Sequence, residues 1–162
     1  MAGRGVFFAL DEADESKLLQ AQGDEAVVSL IQEEIEERWD EAWLCETDKA
    51  WDAMHRCLSD GTLEPDGSPR SRLFLGGRSL HRGTEYVVNY LTPQQVHEAA
   101  LAIHDLGEDW IRSRFATIGA LGYEGPHDEE DLEYTLEYFF ELREFVQKAS
   151  NAKRPIVFTV DL

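Results

Sequence analysis

Three polar residues near the middle of the chain have the types and the spacing of a catalytic or ligand-binding cluster. Asp48, Asp52 and His55 are four and then three residues apart, so in a helix their side chains share one face. A carboxylate beside a histidine fixes the imidazole tautomer and raises its basicity, which suits acid–base chemistry. Trp51 is their neighbour in the sequence. The spacing therefore predicts a pocket around these four residues.

A structural interpretation of the same residues stands beside the catalytic one. Asp48 at the start of a helix complements the helix dipole, and Trp51 with Met54 marks a buried stripe. His55 then sits at the edge of that stripe, bonded to a neighbouring loop. Asp52 and His55 also have the spacing of carboxylate–histidine metal ligands, but the sequence offers no second pair. We expect neither a metal nor another cofactor.

A glycine pair and a small basic cluster follow in the sequence. Gly76 and Gly77 come after an apolar triplet but lack both glycine spacings typical of phosphate-binding loops. The pair predicts a tight turn with a close backbone approach, and in the ligand hypothesis this turn lines the same pocket. Arg78, His81 and Arg82 either bind an anion or pair with nearby carboxylates, and we favour the pairing.

The net charge of the chain excludes two classes of partner. The chain has 162 residues with 33 acidic and 15 basic side chains, for a formal net charge of −18. Nucleic-acid binding requires clustered Lys and Arg, and an anionic membrane surface repels such a chain, so we expect neither as a partner. A hydrophobic content of 43% is too high for disorder, and the length suits one domain spanning 1–162.

Cysteine usage and the N-terminal residues predict a cytoplasmic protein. Cys45 and Cys57 are too few and too poorly spaced for a disulfide framework or a zinc site, so we expect buried thiols. The apolar run at Val6–Leu10 is shorter than a secretory signal requires. No run approaches the length of a membrane-spanning helix.

Two rows of acidic residues indicate helix faces that are either solvated or used for docking. The first row, on the second predicted helix, consists of Glu33, Glu36, Glu37 and Asp40. The second row, on the last long helix, consists of Glu129, Glu130, Glu133, Glu137, Glu141 and Glu144. A charged helix face usually only keeps a protein soluble, but it also suits capture of a basic partner.

The pattern of apolar residues predicts an α/β domain with one sheet of four short strands, covered by helices. We expect the strands at Val6–Leu10, Leu73–Leu75, Tyr86–Leu91 and Ile156–Val160. Helices are expected at 11–22, 24–41, 48–58, 93–106, 110–115 and 128–150, with Asp11, Asp24, Thr47, Thr92 and Asp128 at their starts. The residues expected in the core include Phe7, Trp51, Phe74, Leu91 and Phe158.

Five segments of the chain, in this order, carry a resemblance to a known family: Gly5–Leu10, Asp48-Lys49-Ala50-Trp51 with His55, Leu73–Gly77, Tyr90–Pro93 with Val96, and Tyr138–Lys148. Together they resemble the YfbM-like family of small bacterial proteins. The resemblance spans nearly the whole chain and implies a single three-layer α/β/α domain. It implies no activity, because the family has none assigned. The acidic stretch Glu33–Glu41 and the arginine-rich segment 78–82 are not features of the family.

Two functions of different classes follow. The first hypothesis is a small cytoplasmic binding protein that docks a basic protein through Glu33, Glu36, Glu37 and Asp40. The alternative is a small enzyme or ligand receptor whose pocket is lined by Asp48, Trp51, Asp52, His55, Gly76 and Gly77. A pocket with perturbed pKa values favours the enzyme, whereas a flat acidic face favours docking.

Overall fold

A five-stranded antiparallel sheet forms the centre of the computed structural model, which describes residues 3–162. Its strands are β1 Gly5–Ala9, β2 Leu44–Asp48, β3 Arg78–Ser79, β4 Tyr86–Leu91 and β5 Ile156–Asp161, in the order β2-β1-β5-β4-β3. The apolar strands β1 and β5 lie inside the sheet and β2 forms one edge. The α/β class is confirmed, whereas the strand count is five rather than four, and the three-layer stacking stays a prediction.

Residues 3–162 also form seven α-helical segments. They are α1 Glu12–Gln20, α2 Asp24–Leu30, α3 Glu36–Arg38, α4 Trp51–Leu58, α5 Pro93–Ile103, α6 Glu108–Ile118 and α7 Glu129–Asn151. The predicted N-caps Asp11, Thr92 and Asp128 are confirmed, and Thr92 forms a complete capping box with Gln95. The N-cap predicted at Asp24 is wrong, because Gly23 has that position and the Asp24 carboxylate bonds to a distant loop. Within residues 3–162, no helix combines the length and the apolar character needed to cross a membrane.

Apolar side chains of the sheet divide between two hydrophobic clusters. Successive residues of β1 alternate, so Phe7 belongs to one cluster and Phe8 to the other. Phe7, Phe74 and Phe158 meet in the larger cluster with ring centroids 4.7–5.0 Å apart. Such aromatic pairs add about 0.5–1.5 kcal/mol each beyond their buried area. The predicted burial of Phe7, Trp51, Phe74, Leu91 and Phe158 is confirmed.

The predicted strand Leu73–Leu75 is wrong, because this segment forms a π-helical turn over Arg72–Gly76. Asn89 of β4, itself buried, donates from its amide nitrogen to the carbonyls of Arg72 and Leu73 at 2.9 and 3.1 Å. These bonds satisfy backbone groups that a strand would pair with a neighbour. The apolar side chains of Leu73 and Phe74 are buried nonetheless, which explains why the segment resembled a strand.

The chain between α2 and α4 also differs from the prediction. The helix expected over 24–41 contains a π-helical turn at Ile31–Ile35 and ends at Arg38, because Trp39 adopts a left-handed conformation with φ 44°. A 3₁₀ turn at Glu41–Trp43 leads into β2, which the sequence analysis missed. The helix expected from Asp48 begins at Trp51, so Thr47 belongs to a strand and is not an N-cap.

Candidate functional site

Asp48 does not share a helix face with Asp52 and His55, because it is the last residue of β2. Its left-handed backbone, with φ 46°, turns the chain towards α4. Its carboxylate accepts a 2.9 Å hydrogen bond from the Tyr134 hydroxyl of α7 and lies 3.3 Å from Arg4 Nε. The predicted cluster is therefore divided between the end of β2 and the interior of α4.

Asp52 is committed to a buried ion pair one turn along α4. Its carboxylate accepts a 2.7 Å hydrogen bond from Arg56 Nε, and both side chains are more than 90% buried. Arg56 also donates to the backbone carbonyls of Gly61 and Leu121, at 3.3 and 3.1 Å. These bonds satisfy charges that would otherwise be costly to bury, and they join α4 to two loops.

His55 is completely buried and is bonded to the backbone. Its Nε2 lies 2.8 Å from the Leu63 carbonyl, so Nε2 carries the proton and donates. Burial lowers the pKa of the His55 imidazole, against the opposing effects of the Leu63 carbonyl and Asp52. Trp51, also buried, donates from Nε1 to the Gly3 carbonyl at 3.2 Å. This environment matches the structural interpretation of the histidine.

The glycine pair lies where the π-helical turn meets β4. The backbone N–H of Gly77 donates to Asn89 Oδ1 at 2.7 Å. A Cβ atom at Gly77 would come within 2.5 Å of the Tyr90 carbonyl oxygen, so a side chain there collides with the strand. At Gly76 the nearest atoms belong to Pro65 and Ser71, at 3.1 Å. The close backbone approach predicted for the glycine pair is therefore present at Gly77.

The basic segment after the glycine pair is anchored by an acidic residue. Asp24, at the start of α2, accepts hydrogen bonds from the backbone N–H groups of Arg82 and Gly83 at 2.7 and 2.9 Å. The buried His81 has its Nε2 atom 3.7 Å from both Asp24 and Glu85 carboxylates. Across residues 3–162, no three His, Cys, Asp or Glu side chains converge as metal ligands.

The first acidic row is interrupted. Glu33 bonds to Ser29, and Asp40 lies beyond the end of the helix, where it caps the 3₁₀ turn. The prediction that Asp40 lies on this helix is therefore wrong. Two cations next to the row pair with carboxylates outside it. Lys17 pairs with Glu34 at 3.2 Å, and Arg38 pairs with Asp14 at 2.8 Å.

Glu36, from the same row, lines a polar cavity at one end of the sheet. The cavity has a volume of about 420 Å³ and is lined also by Gln32 of the π-helical turn, Tyr86 and Thr159. Burial raises the pKa of the Glu36 carboxyl, and burial likewise raises the pKa of the Tyr86 phenol. The π-helical turn brings Glu36 to this cavity and away from the exposed Glu33 and Glu37.

The second acidic row has a different environment, alongside the edge strand. Helix α7 follows β2 along its length, because Tyr134 bonds to Asp48 at one end and Lys148 bonds to the Ala42 carbonyl at the other. We call the surface they form the α7–β2 face. It consists of Glu46, Asp48, Glu130, Glu133, Tyr134, Glu137, Tyr138 and Glu141.

Two tyrosines lie at the centre of the α7–β2 face. The rings of Tyr134 and Tyr138 meet edge to face, with centroids 5.0 Å apart, and both are half-buried. Burial, followed by the hydrogen bond to Asp48, raises the pKa of Tyr134 to about 12. Burial also raises the pKa of Tyr138, and the charges of Asp48, Glu141, Glu46 and Glu137 raise it further.

Most carboxylates of the α7–β2 face have no counter-charge. In the part of the chain that the structure describes, no Lys, Arg or His lies within 4 Å of Glu46, Glu130, Glu133, Glu137 or Glu141. Sequence reasoning found the glutamates of α7 but missed Glu46 and the tyrosine pair. The i, i+4 spacing of the two tyrosines was the available signal.

Comparisons with known proteins place this fold in a family. A family model described as a domain of unknown function, DUF1877, matches residues 1–159, so the chain belongs to the DUF1877 family. A solved structure of YfbM, a protein of unknown function from Escherichia coli, is similar with a TM-score of 0.68 and 14% identity. The match covers 97% of this chain and 99% of that one. The predicted YfbM-like resemblance is confirmed, and no curated protein matches.

Proposed function

We propose that this protein binds a basic protein partner through the α7–β2 face. The observation that carries the proposal is the row of α7 carboxylates without a counter-charge beside the edge strand β2. Glu133, Glu137 and Glu141 are four residues apart on one helix, so neighbouring charges repel each other by about 0.2–0.5 kcal/mol per pair. A bound cationic surface relieves this repulsion and, through the long-range field, speeds association.

The α7–β2 face suits docking better than the first acidic row does. Beside the first row, Lys17 pairs with Glu34 and Arg38 pairs with Asp14, which places positive charge next to it, and Glu36 is turned towards a cavity. The docking role expected for Glu33, Glu36, Glu37 and Asp40 stays a prediction. It serves as the natural comparison, because the two rows carry the same kind of charge on different helices.

Two triple reversals with equal changes of charge test which face binds. In one variant Glu133, Glu137 and Glu141 become Lys, and in the other Glu33, Glu36 and Glu37 become Lys. Soluble polylysine is the probe, and its association rate with each immobilised variant is measured over a range of salt concentrations. We expect the α7 reversal to slow association at low salt by at least about tenfold and the other reversal to change it much less.

Three outcomes are informative. An equal loss in both triple variants would mean that polylysine senses only the net charge, which would overturn the proposed surface. A larger loss in the Glu33, Glu36 and Glu37 variant would return the docking role to the first row. No binding of polylysine to the unmodified protein, even at low salt, would overturn the docking function itself.

A second candidate is the small enzyme or ligand receptor centred on Asp48, Trp51, Asp52 and His55. One observation favours it: in the part of the chain that the structure describes, the buried Nδ1 atom of His55 has no hydrogen-bond partner. A small polar ligand or a water could use this acceptor. Titration of the His55 ring by NMR, with and without mixtures of small polar metabolites, tests the idea. A ring signal that no compound shifts would count against it.

A further inference from the structure

Two hydrogen bonds of β1 show which backbone N–H and C=O groups of β2 point towards β1 and which point away from it. On the β5 side of β1, the N–H of Leu10 donates to the Pro155 carbonyl at 3.0 Å. On the β2 side, the Gly5 carbonyl accepts a 2.8 Å hydrogen bond from the Thr47 hydroxyl. Because successive backbone groups of a strand point to opposite sides, Phe7 faces β2. Its partner Cys45 therefore points inwards to β1, and Glu46 points its N–H and C=O outwards.

The outward backbone of Glu46 lies beside a site suited to a cation. The Tyr134–Tyr138 pair is half-buried next to β2, and Asp48, Glu141, Glu46 and Glu137 all act on the Tyr138 hydroxyl. An ammonium or guanidinium group is attracted both to an aromatic face within about 6 Å and to nearby carboxylates. On the other side of α7, Phe140 is already covered by Arg143, whose guanidinium carbon lies 5.1 Å from the ring centroid.

We propose that the α7–β2 face takes an extended segment of a basic protein, which adds to the sheet beside β2 and places a Lys or Arg side chain against Tyr134 and Tyr138. This inference rests on the proposed function and specifies the form of the partner. Main-chain hydrogen bonds to an exposed edge strand supply affinity, and the side chains of alternate residues supply specificity.

Charge complementarity favours a basic segment over a second copy of this chain. Pairing of β2 with β2 of another molecule would bring the Glu46 and Asp48 carboxylates of the two copies together. Like charges placed opposite each other destabilise a strand pair, and charged edge strands are a common protection against such pairing. A segment rich in Lys or Arg instead brings positive charges next to the carboxylates of the α7–β2 face, so the charges attract each other.

A short capped peptide of alternating Lys and Thr, labelled with a fluorophore, is the probe for the test. Two further peptides carry N-methyl groups, on every Lys in one and on every Thr in the other. Only one of these sets of N–H groups can face β2, so we expect one methylated peptide to bind about tenfold more weakly than the other. Equal binding of both methylated peptides and the parent would overturn strand addition and leave docking by charge intact.

Amide hydrogen exchange locates the contact on the protein. With the parent peptide bound, we expect exchange of the Glu46 amide to slow, whereas the Cys45 amide, already bonded to β1, stays unchanged. Protection that spreads over α7 but omits Glu46 would overturn strand addition. Concentration-dependent dimers that protect Glu46 without any peptide would show that a second copy is the occupant.

Variants of the tyrosine pair test the cation site separately. Tyr138→Phe keeps the aromatic face and is expected to bind the peptide as the unmodified protein does, whereas Tyr138→Leu is expected to bind about tenfold more weakly. Phe140→Leu is the matched control, because that ring is already occupied by Arg143. If Tyr138→Leu binds the peptide normally while polylysine binding is also normal, the cation site is overturned and the docking function stands.

Discussion

Polar residues around α4 and polar residues on the α7–β2 face are used in opposite ways. Around α4, Asp52 and Arg56 are buried against each other, and His55 is buried against the Leu63 carbonyl. On the α7–β2 face, Glu133, Glu137 and others extend into solvent without a counter-charge. In the first region, the polar side chains hold loops to a helix. In the second region, they are available to another molecule.

This difference shows that residue type and spacing alone do not distinguish polar side chains with a structural role from those with a functional role. The sequence pattern placed the most reactive combination, a histidine three residues after an aspartate, in the region that proves most enclosed. Burial decides the matter, because a group that is both buried and hydrogen-bonded has little capacity left for a ligand. Each of the following variants tests one side of the contrast.

The largest effect is expected from breaking the ion pair of α4. Arg56→Met leaves the Asp52 carboxylate buried without its partner, which costs about 3–5 kcal/mol of the free energy of unfolding. Denaturant melts measure the loss. The double variant Asp52→Leu with Arg56→Met removes both charges, and we expect it to recover most of that loss. A double variant no more stable than the single one would contradict the ion-pair argument.

His55→Ala is expected to cost about 1–3 kcal/mol at neutral pH, because it leaves a cavity and an unpaired Leu63 carbonyl. The pH dependence adds a second readout. Since burial holds the pKa of the folded-state imidazole below its ordinary value of 6.5, the unfolded chain binds the proton first on acidification. Stability from the neutral ring is therefore present above pH 6.5 and is lost as the pH falls below it.

The free energy of unfolding of the unmodified protein and of His55→Ala, measured at about pH 7 and about pH 5, isolates the contribution of the neutral His55 ring. The unmodified protein is expected to lose more stability on acidification than the variant does. Equal losses would mean that carboxylates alone account for the pH dependence. A His55→Ala variant as stable as the unmodified protein would remove the structural role of the ring.

The smallest effect is expected on the α7–β2 face. Replacing Glu133, Glu137 and Glu141 together by Gln removes two repulsive i, i+4 pairs, so stability should rise slightly, by less than about 1 kcal/mol. The gain should shrink at high salt, where the repulsion is already screened. Thermal melts at low and high salt measure both effects. A loss above about 2 kcal/mol would show that these residues stabilise the fold instead.

Much of the fold was predictable from local signals. The capping residues of α1, α5 and α7 and the buried strands β1, β4 and β5 were recognised because their signals lie within a few residues of one another. Leu73–Leu75 and Leu44–Asp48 were not recognised as what they are, because distant residues decide their conformation. Asn89 holds the first as a turn, and pairing with β1 holds the second as a strand.

The candidate site depended even more on distant contacts. Once Leu44–Asp48 is a strand, Asp48 leaves the predicted helix face and lies next to Tyr134, which is 86 residues further along the chain. No local pattern contains that contact. The burial of His55 likewise depends on the loop that carries Leu63. Sequence reasoning thus supplied the acidic glutamates of α7 but not the strand and the tyrosines that accompany them.

The π-helical turn at Ile31–Ile35 also affects how this chain tolerates changes of length. A π-helical turn contains one residue more than an α-helical path requires. Deletion of the exposed Glu34 would remove this extra residue, so the helix would continue in regular α-helical form and the residues on either side would keep their orientation. Glu36 would therefore stay at the cavity beside Tyr86. The same deletion in a regular helix such as α7 would rotate everything after it by about 100° about the helix axis, so this turn is a place where the chain tolerates the loss of one residue.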